Sequence, residues 1–148
     1  RMHRVPSSDG CLSVDYAHTP DALSQVLSSL KTHCKGQLWA VFGCGGDRDK
    51  TKRPEMGLIA HQLSDFVVVS DDNPRTENAA SIRKDILSGC PNAIECGDRG
   101  EAIQLAVEKA GVDDVILLAG KGHESGQYIM GEVVPFNDCD YARKILKK

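Results

Sequence analysis

The sequence predicts a single α/β domain: a Rossmann-like, mostly parallel twisted sheet with helices on both faces. Short apolar runs without polar alternation, such as residues 66–69 and 115–118, are typical of strands that are buried on both faces of a parallel sheet. These runs alternate with amphipathic segments of helical length, and that alternation favours strand–helix–strand crossovers. A length of 148 residues suits one domain with its own hydrophobic core.

Five predicted strands are rich in apolar residues and are bounded by turn-forming residues. They cover residues 11–17, 38–42, 66–70, 93–96 and 115–119. A later segment, residues 128–134, is typical of a hairpin that turns at Gly131-Glu132.

Helices are predicted between these strands, where apolar residues recur at helical spacing. The first covers residues 21–31, with Leu23 and Leu27 on one face, and Pro20 suits its first turn. The other predicted helices are residues 54–63, 79–87, 99–110 and 138–147. Gly111 is predicted to end the third of these four.

Composition excludes several classes of function. The net charge is -3, so the chain has no general attraction for nucleic acid or for a membrane surface, and we expect neither as a partner. No apolar run is long enough to cross a bilayer, and the first residues lack the apolar core of a signal peptide. We expect a cytoplasmic, monomeric protein whose residues belong to a longer chain.

Six cysteines are present, but no pair has CxxC spacing. A zinc site is therefore not expected, and nothing in the composition indicates secretion. We expect six reduced thiols with mostly structural roles.

Three polar segments each follow a predicted strand, and open α/β sheets bind ligands at the carboxyl ends of their strands. The segments are residues 43–50, the tetrapeptide Asp72-Asn73-Pro74-Arg75, and residues 120–124. They combine carboxylates, guanidinium groups and glycines that expose backbone N–H groups. Such a set suits a small molecule with both an ammonium and a carboxylate, and an amino acid is the obvious candidate.

Each segment also has a simpler interpretation, which the residues alone leave open. Residues 43–50 match neither GxxxxGK[ST] nor the full GxGxxG pattern, so their simpler interpretation is a tight turn with solvated charges. Lys52 and Arg53 lie just after this segment and are expected to be surface charges. Asn-Pro is a common turn former, so residues 72–75 have a simpler interpretation as a turn into the next helix. In the same way, Glu124 has a simpler interpretation as an exposed loop acid, and residues 15–18 as a cap for the following helix. We expect no metal site and no catalytic nucleophile–base pair in this chain.

Four segments, residues 15–20, 43–50, 72–75 and 120–124, resemble the Mur ligase family in sequence and in order. Asp-Asn-Pro-Arg resembles the signature of the members that add meso-2,6-diaminopimelate to UDP-N-acetylmuramoyl-L-alanyl-D-glutamate. The resemblance covers nearly the whole chain and implies that residues 1–148 form the C-terminal, amino-acid-binding domain. It implies that an N-terminal UDP-precursor domain and a central ATP-binding domain are absent from this chain.

The resemblance implies a role for each residue of an amino-acid pocket. Arg48 would bind the carboxylate of the incoming amino acid, because an arginine fork matches a carboxylate with two hydrogen bonds. Arg75 would bind the distal carboxylate of diaminopimelate, and family members that add L-lysine lack this arginine. The carbonyl of Gly120 and the carboxylate of Glu124 would accept from the distal ammonium. The implied set is Arg48, Asp72, Asn73, Pro74, Arg75, Gly120 and Glu124.

The same resemblance implies a nucleotide-binding segment. Asp15 would bind ribose hydroxyls, His18 would lie near the adenosine with Tyr16, and Arg1 would reach ATP from the hinge into the domain. ATP and Mg²⁺ would serve the full-length enzyme, with Mg²⁺ bound mainly by the missing central domain.

The implied reaction is peptide-bond formation in bacterial peptidoglycan synthesis. ATP would convert the D-glutamate γ-carboxylate of the UDP-MurNAc-dipeptide into an acyl phosphate, and the amine at the L-centre of diaminopimelate would displace phosphate. The present domain would bind and orient the amino acid without a catalytic residue of its own, so we expect it to be inactive alone. Two alternatives stay open: a folylpolyglutamate-synthetase-like ligase domain, and a stand-alone amino-acid- or nucleotide-binding module.

Overall fold

The computed structural model of the protein describes residues 3–7, 10–111, 113–120, 126–129 and 132–135. The strands in these ranges are β1 (His3–Ser7), β2 (Gly10–Asp15), β3 (Leu38–Phe42), β4 (Phe66–Val69), β5 (Ile94–Glu95), β6 (Val115–Ala119), β7 (Gly126–Ile129) and β8 (Glu132–Pro135). The helices are α1 (Pro20–His33), α2 (Lys52–Leu63), α3 (Ala79–Leu87) and α4 (Arg99–Lys109).

Six of the strands form one sheet in the order β1-β2-β6-β3-β4-β5. β1 runs antiparallel to β2, and every other neighbouring pair in this sheet is parallel. β7 and β8 form a separate antiparallel pair. The predicted fold class, a Rossmann-like and mostly parallel sheet, is confirmed.

The helices lie on both faces of the sheet. Successive side chains of a strand point to opposite faces, so each apolar strand offers a packing surface on either side. Along β3, Ala40 and Phe42 join an apolar cluster with α1, α2 and α3. Trp39 and Val41 point the other way and join a second cluster with α4. Every residue of β3 and of β6 is buried. Ligand-binding groups are therefore left to the loops at the strand ends.

Side-chain caps set where three of the helices begin after those loops. Thr19 accepts a hydrogen bond from the backbone N–H of Ala22 at 3.2 Å, and Pro20 occupies the first turn of α1 as predicted. Asn78 and Asp98 cap α3 and α4 in the same way. Each cap satisfies a backbone donor that the helix itself leaves without a partner.

Two local predictions differ from the structure. β1 was not predicted; its sequence contains Pro6, and the sheet accepts a proline there because β1 lies at an edge. The prediction that Gly111 is the C-cap of α4 is wrong by one residue. The cap residue is Ala110 in an extended conformation, and the N–H of Gly111 donates to the Asp114 carboxylate at 2.8 Å.

The hairpin predicted over residues 128–134 corresponds to β7 and β8, paired from Gly126 with Pro135 to Ile129 with Glu132. Residues 130–131 of its turn, and the helix predicted over residues 138–147, lie outside the described residues. Within the described part of the chain, no helix is both long and apolar enough to span a membrane.

The four cysteines whose side chains are described, Cys34, Cys44, Cys90 and Cys96, are all free thiols. Burial raises the pKa of Cys44 to about 12 and that of Cys90 to about 11. Such thiols are protonated at neutral pH, and this agrees with a structural role for these two.

Candidate functional site

A cavity of about 320 Å³ opens at the carboxyl ends of the parallel strands. Four loops contribute to it, one after each of β2, β3, β4 and β6. The lining residues are Tyr16, His18, Gly45, Arg48, Lys52, Asp72, Asn73, Arg75 and Gly120. The segments that the sequence singled out separately as an amino-acid pocket and a nucleotide segment therefore share one cavity.

Two sequence-predicted site residues in the described part of the chain do not line this cavity. Pro74 is buried. Asp15 is also buried. Arg1 and Glu124 lie outside the described residues, so the structure does not locate them.

Asp15 holds the end of β2 in place. Its Oδ1 accepts a hydrogen bond from the backbone N–H of Ala17 at 2.8 Å, and its carbonyl accepts from the N–H of Gly120 at 3.1 Å. The side chain is only 9% exposed. Asp15 therefore fixes the backbone that presents Tyr16 and His18, whereas those two side chains themselves face the cavity.

Gly120 occupies a position that requires glycine. Its φ of +108° lies in a region that other residues rarely adopt, and a Cβ placed there would lie 3.0 Å from Oδ2 of Asp72. Asp72 is 7% exposed and Asn73 is 5% exposed, although both border the cavity. The absence of a side chain at Gly120 thus leaves space beside the Asp72 carboxylate.

Arg75 folds back over a glycine-containing loop. Its Nη1 donates to the carbonyls of Gly46, at 3.0 Å, and Asn73, at 3.3 Å. A Cβ on Gly45 would lie 2.7 Å from the same Nη1, so the glycine leaves space for the guanidinium. Arg75 has a φ of 53°, which costs about 1–2 kcal/mol for a residue with a Cβ. The surrounding contacts hold it in that conformation.

Arg48 is an exposed residue of the same loop. Its Nη1 donates to the carbonyl of Asp47 at 3.0 Å, and its other donors face solvent or the cavity. Asp47, directly before it, also has a positive φ of 55°. Arg75 therefore occupies a left-handed position, Arg48 directly follows one, and both side chains line the same cavity.

The loop after β3 and the loop after β4 are hydrogen-bonded to each other. The N–H of Gly46 donates to the carbonyl of Asn73 at 2.7 Å. The Asp47 carboxylate accepts from the N–H of Thr76 at 3.2 Å and from its hydroxyl at 2.7 Å. In return, the N–H of Asp47 donates to Oε1 of Glu77 at 2.7 Å.

Arg53 was expected to be a surface charge, and that expectation is wrong. Its side chain is 0% exposed, and its Nη2 donates to Glu77 at 2.9 Å and to the carbonyl of Gly45 at 3.1 Å. Its Nη1 donates to Glu77 at 3.1 Å and to Asp85 at 3.0 Å. The signal was present in the sequence, because residue 53 is in helical register with Met56 and with residues 57 and 60 on the buried face of α2.

Glu77 is the acid at the centre of this network. Its hydrogen bonds from Arg53 come first among the causes that lower its pKa to about 2, and the N–H of Asp47 adds to them. Glu77 is therefore ionised at neutral pH and is a permanent acceptor for Arg53 and for the N–H of Asp47 in the loop after β3.

Two further arginines support the loop after β4: Arg99 of α4 and Arg83 of α3. Arg99 is 2% exposed and donates to the carbonyls of Ala119, at 3.0 Å, and Asp71, at 3.4 Å. Arg83 donates to the Asp71 carboxylate at 2.5 Å. Burial raises the pKa of Asp71, and the Arg83 hydrogen bond opposes that rise. Asp71, which had no assigned role, thus anchors the strand end next to Asp72.

The cavity carries more positive than negative side chains. Arg48, Arg75 and Lys52 contribute three cations, against the carboxylate of Asp72. Lys52 was also expected to be a surface charge, yet its Nζ donates to the carbonyl of His18 at 2.9 Å and it borders the cavity. A site of this kind attracts a ligand with an excess of anionic groups. Among the described residues, no group of three His, Cys, Asp or Glu side chains is arranged to hold a metal ion.

Comparisons with known proteins agree with this architecture. The family model described as "Mur ligase, glutamate ligase domain" matches residues 1–122. The UDP-N-acetylmuramoyl-L-alanyl-D-glutamate--2,6-diaminopimelate ligase of Zymomonas mobilis is 56% identical over 150 residues, covering 97% of this chain and 31% of that protein. The ligase of the same name from Coxiella burnetii is 52% identical over 136 residues, covering 90% and 28%.

Solved structures give the same result for the fold. A structure of a UDP-N-acetylmuramoyl-L-alanyl-D-glutamate--2,6-diaminopimelate ligase superposes with a TM-score of 0.95 at 44% identity, covering 99% of this chain and 31% of that one. A bifunctional folylpolyglutamate synthase/dihydrofolate synthase has a TM-score of 0.65 at 21% identity and shares the fold. The chain thus spans less than a third of the length of the relatives it matches in sequence. With a family model matched over most of its length and a fold shared with these ligases, the chain belongs to the Mur ligase family, as a glutamate ligase domain.

Proposed function

We propose that this chain is the amino-acid-binding domain of an ATP-dependent ligase that adds meso-diaminopimelate to UDP-N-acetylmuramoyl-L-alanyl-D-glutamate. The observation that carries the proposal is the convergence of Arg48 and Arg75 with the carboxylate of Asp72 on one cavity. Diaminopimelate has two carboxylates and two amino groups, so it needs two cationic partners and an acceptor. The printed names of the similar ligases support this substrate.

Within the proposal, the two arginines hold opposite ends of the amino acid. Arg48 binds the carboxylate next to the reacting amine, and Arg75 binds the distal carboxylate through charge-assisted hydrogen bonds. Asp72, the carbonyl of Gly120 and Glu124 accept from the distal ammonium. Asn73 and Pro74 shape the backbone on which Arg75 lies. This arrangement leaves the amine at the L-centre as the group that points out of the pocket.

The same cavity suits part of an ATP molecule at its other side. Tyr16 is 41% exposed, and an exposed aromatic ring is suited to stacking on a nucleotide base. His18 and Lys52 lie beside it and add polar and cationic groups. We assign Arg1 to the nucleotide from the family resemblance, and Asp15 to holding this segment in place. Mg²⁺ would be bound mainly by a central domain elsewhere in the parent protein.

The domain contributes orientation to the reaction and no covalent chemistry. ATP, held by the central domain, supplies the phosphoryl group that activates the D-glutamate γ-carboxylate of the dipeptide precursor. Binding both ends of diaminopimelate limits the positions that its amine can take, and this lowers the entropic cost of reaching the acyl phosphate. We propose that the parent enzyme is monomeric and works in the bacterial cytoplasm, and that the isolated domain is inactive.

A panel of three amino acids tests the function in the full-length parent enzyme. L-Lysine lacks the distal carboxylate of diaminopimelate, and L-glutamate lacks its distal ammonium. In the presence of ATP and the UDP-linked dipeptide, we expect rapid phosphate release with diaminopimelate and far slower release with L-lysine or L-glutamate. Omitting the dipeptide or ATP should abolish the release. Preferential use of L-glutamate would instead support a folylpolyglutamate-synthase-like ligase.

Calorimetric titration of the isolated chain with diaminopimelate separates the ligase proposal from a stand-alone binding module. The ligase proposal predicts weak binding, because the rest of the site belongs to other domains. Tight binding by the isolated chain would contradict the proposal and favour the binding module.

A further inference from the structure

The two proposed carboxylate-binding arginines lie on loops that are hydrogen-bonded to each other and that also share contacts with one buried arginine. Arg53 donates to the carbonyl of Gly45 in the loop after β3 and to Glu77 at the end of the loop after β4. It also donates to Asp85 of α3. A side chain with no solvent exposure thus contacts the loop of Arg48, the loop of Arg75 and a helix behind them.

Glu77 completes the link to the backbone. Its Oε1 accepts from both Arg53 and the N–H of Asp47, the residue directly before Arg48. Thr76, which directly follows Arg75, donates its hydroxyl to the Asp47 carboxylate. Arg75 itself has a left-handed backbone, and Arg48 directly follows the left-handed Asp47; these contacts stabilise both positions.

Resting on the proposed function, we infer that Arg53 and Glu77 are positioning residues that set the separation between the guanidinium groups of Arg48 and Arg75. Neither residue borders the cavity, so neither is suited to touch the substrate. Their effect would be on selectivity: only an amino acid with two carboxylates engages both arginines, and only such a substrate depends on their spacing. A substrate with one carboxylate is indifferent to it.

Glu77→Gln in the full-length parent enzyme tests this inference. Glutamine has a single side-chain oxygen, so its amide N–H groups face the donors of Arg53 and the paired hydrogen bonds are lost. Arg53 keeps its contact with Asp85 and is not left without an acid. We expect KM for diaminopimelate to rise about tenfold, with KM for ATP and for the UDP-linked dipeptide unchanged within about twofold.

Glu95→Gln is the matched control. It makes the same substitution in an acid that also accepts from an arginine at 2.9 Å, but the Glu95 carboxylate is bonded to neither the loop of Arg48 nor that of Arg75. Arg83 keeps its ion pair with Asp71 in this variant, as Arg53 keeps Asp85 in Glu77→Gln. We expect Glu95→Gln to leave every KM at the wild-type value. Thr76→Val, which removes one exposed hydroxyl bonded to Asp47, should raise KM for diaminopimelate by about threefold without harm to the core.

The discriminating readout is the ratio of kcat/KM for diaminopimelate to kcat/KM for L-lysine. A fall in this ratio for Glu77→Gln and Thr76→Val, but not for Glu95→Gln, supports the inference. If Glu77→Gln and Thr76→Val lower kcat/KM for diaminopimelate and for L-lysine in parallel, or leave both at the value of Glu95→Gln, then Arg53 and Glu77 are structural residues and the inference is overturned. Failure of the wild-type enzyme to prefer diaminopimelate would overturn the proposed function itself, so the two failures are distinguishable.

Discussion

Replacing Arg53 by methionine tests the buried ion cluster through stability. Methionine keeps much of the length of the side chain but removes the guanidinium, so Asp85 loses its ion-pair partner and Glu77 keeps only the exposed Lys50, at 3.9 Å. Removing one partner of a buried ion pair costs about 3–5 kcal/mol. The side chains of Glu77 and Asp85 are 17% and 44% exposed, and water will partly solvate them. We therefore expect the lower end, a loss of about 3 kcal/mol.

Urea unfolding followed by circular dichroism at neutral pH measures this free energy directly. For a domain of this size, such a loss corresponds to a fall in Tm of about 6–12 °C. Lys31→Met is the control, because Lys31 is 52% exposed and pairs with Asp65 at 3.0 Å on the surface, where a pair contributes under about 1 kcal/mol. Adding Glu77→Gln to Arg53→Met should recover part of the loss by removing one uncompensated charge.

The reasoning is refuted if Arg53→Met and Lys31→Met differ by less than about 1 kcal/mol in the free energy of unfolding. That result would mean that Arg53 does not hold the two loops in the folded protein. It would also remove the structural basis for a positioning role in the parent enzyme.

Three other predictions concern the isolated chain. The pKa of Glu77 is about 2 in the folded protein, against an ordinary value of 4.5, so the unfolded state binds more protons between these two values. The stability that Glu77 contributes is therefore complete above pH 4.5 and is lost as the pH falls towards 2. Acid unfolding of Glu77→Gln should lack this component. Cys44 and Cys90 should react with a disulfide reagent at pH 8 only on unfolding, since their pKa values are about 12 and 11; rapid reaction of either in the native protein would contradict their burial. Purified chain should release no phosphate from ATP, with or without diaminopimelate, and turnover that survives repurification would show that part of the chemistry lies in this domain.

The sheet was predictable because its central strands are buried on both faces. β3 and β6 are continuous apolar runs, and their predicted bounds match those observed. The convergence of the loops after β3, β4 and β6 also followed, since loops at the carboxyl ends of parallel strands meet at one edge. That Tyr16 and His18, expected to serve the nucleotide, line the same cavity was not predicted. β1 was less predictable, because a short edge strand with a proline has no distinctive pattern.

The supporting shell of the cavity was harder to predict than its lining. Charged residues are usually exposed, so Lys52 and Arg53 were expected on the surface. The burial of Arg53 depends on Glu77, which is distant in sequence and becomes its partner only through the fold. Arg99 is buried for a similar reason, since it binds strand-end carbonyls that the sequence alone does not bring together.

The most direct test of the central claim is the selectivity of the full-length parent enzyme carrying Arg75→Ala. Removing a charged partner from a bound carboxylate costs about 2–5 kcal/mol, so KM for diaminopimelate should rise well over tenfold while KM for ATP stays nearly constant. Arg75→Lys, which keeps a Cβ and therefore the same backbone cost at this left-handed position, should recover only part of the loss because an ammonium lacks the guanidinium fork. The account predicts that Arg75→Ala loses most of its preference for diaminopimelate over L-lysine. An Arg75→Ala enzyme with wild-type preference would contradict it.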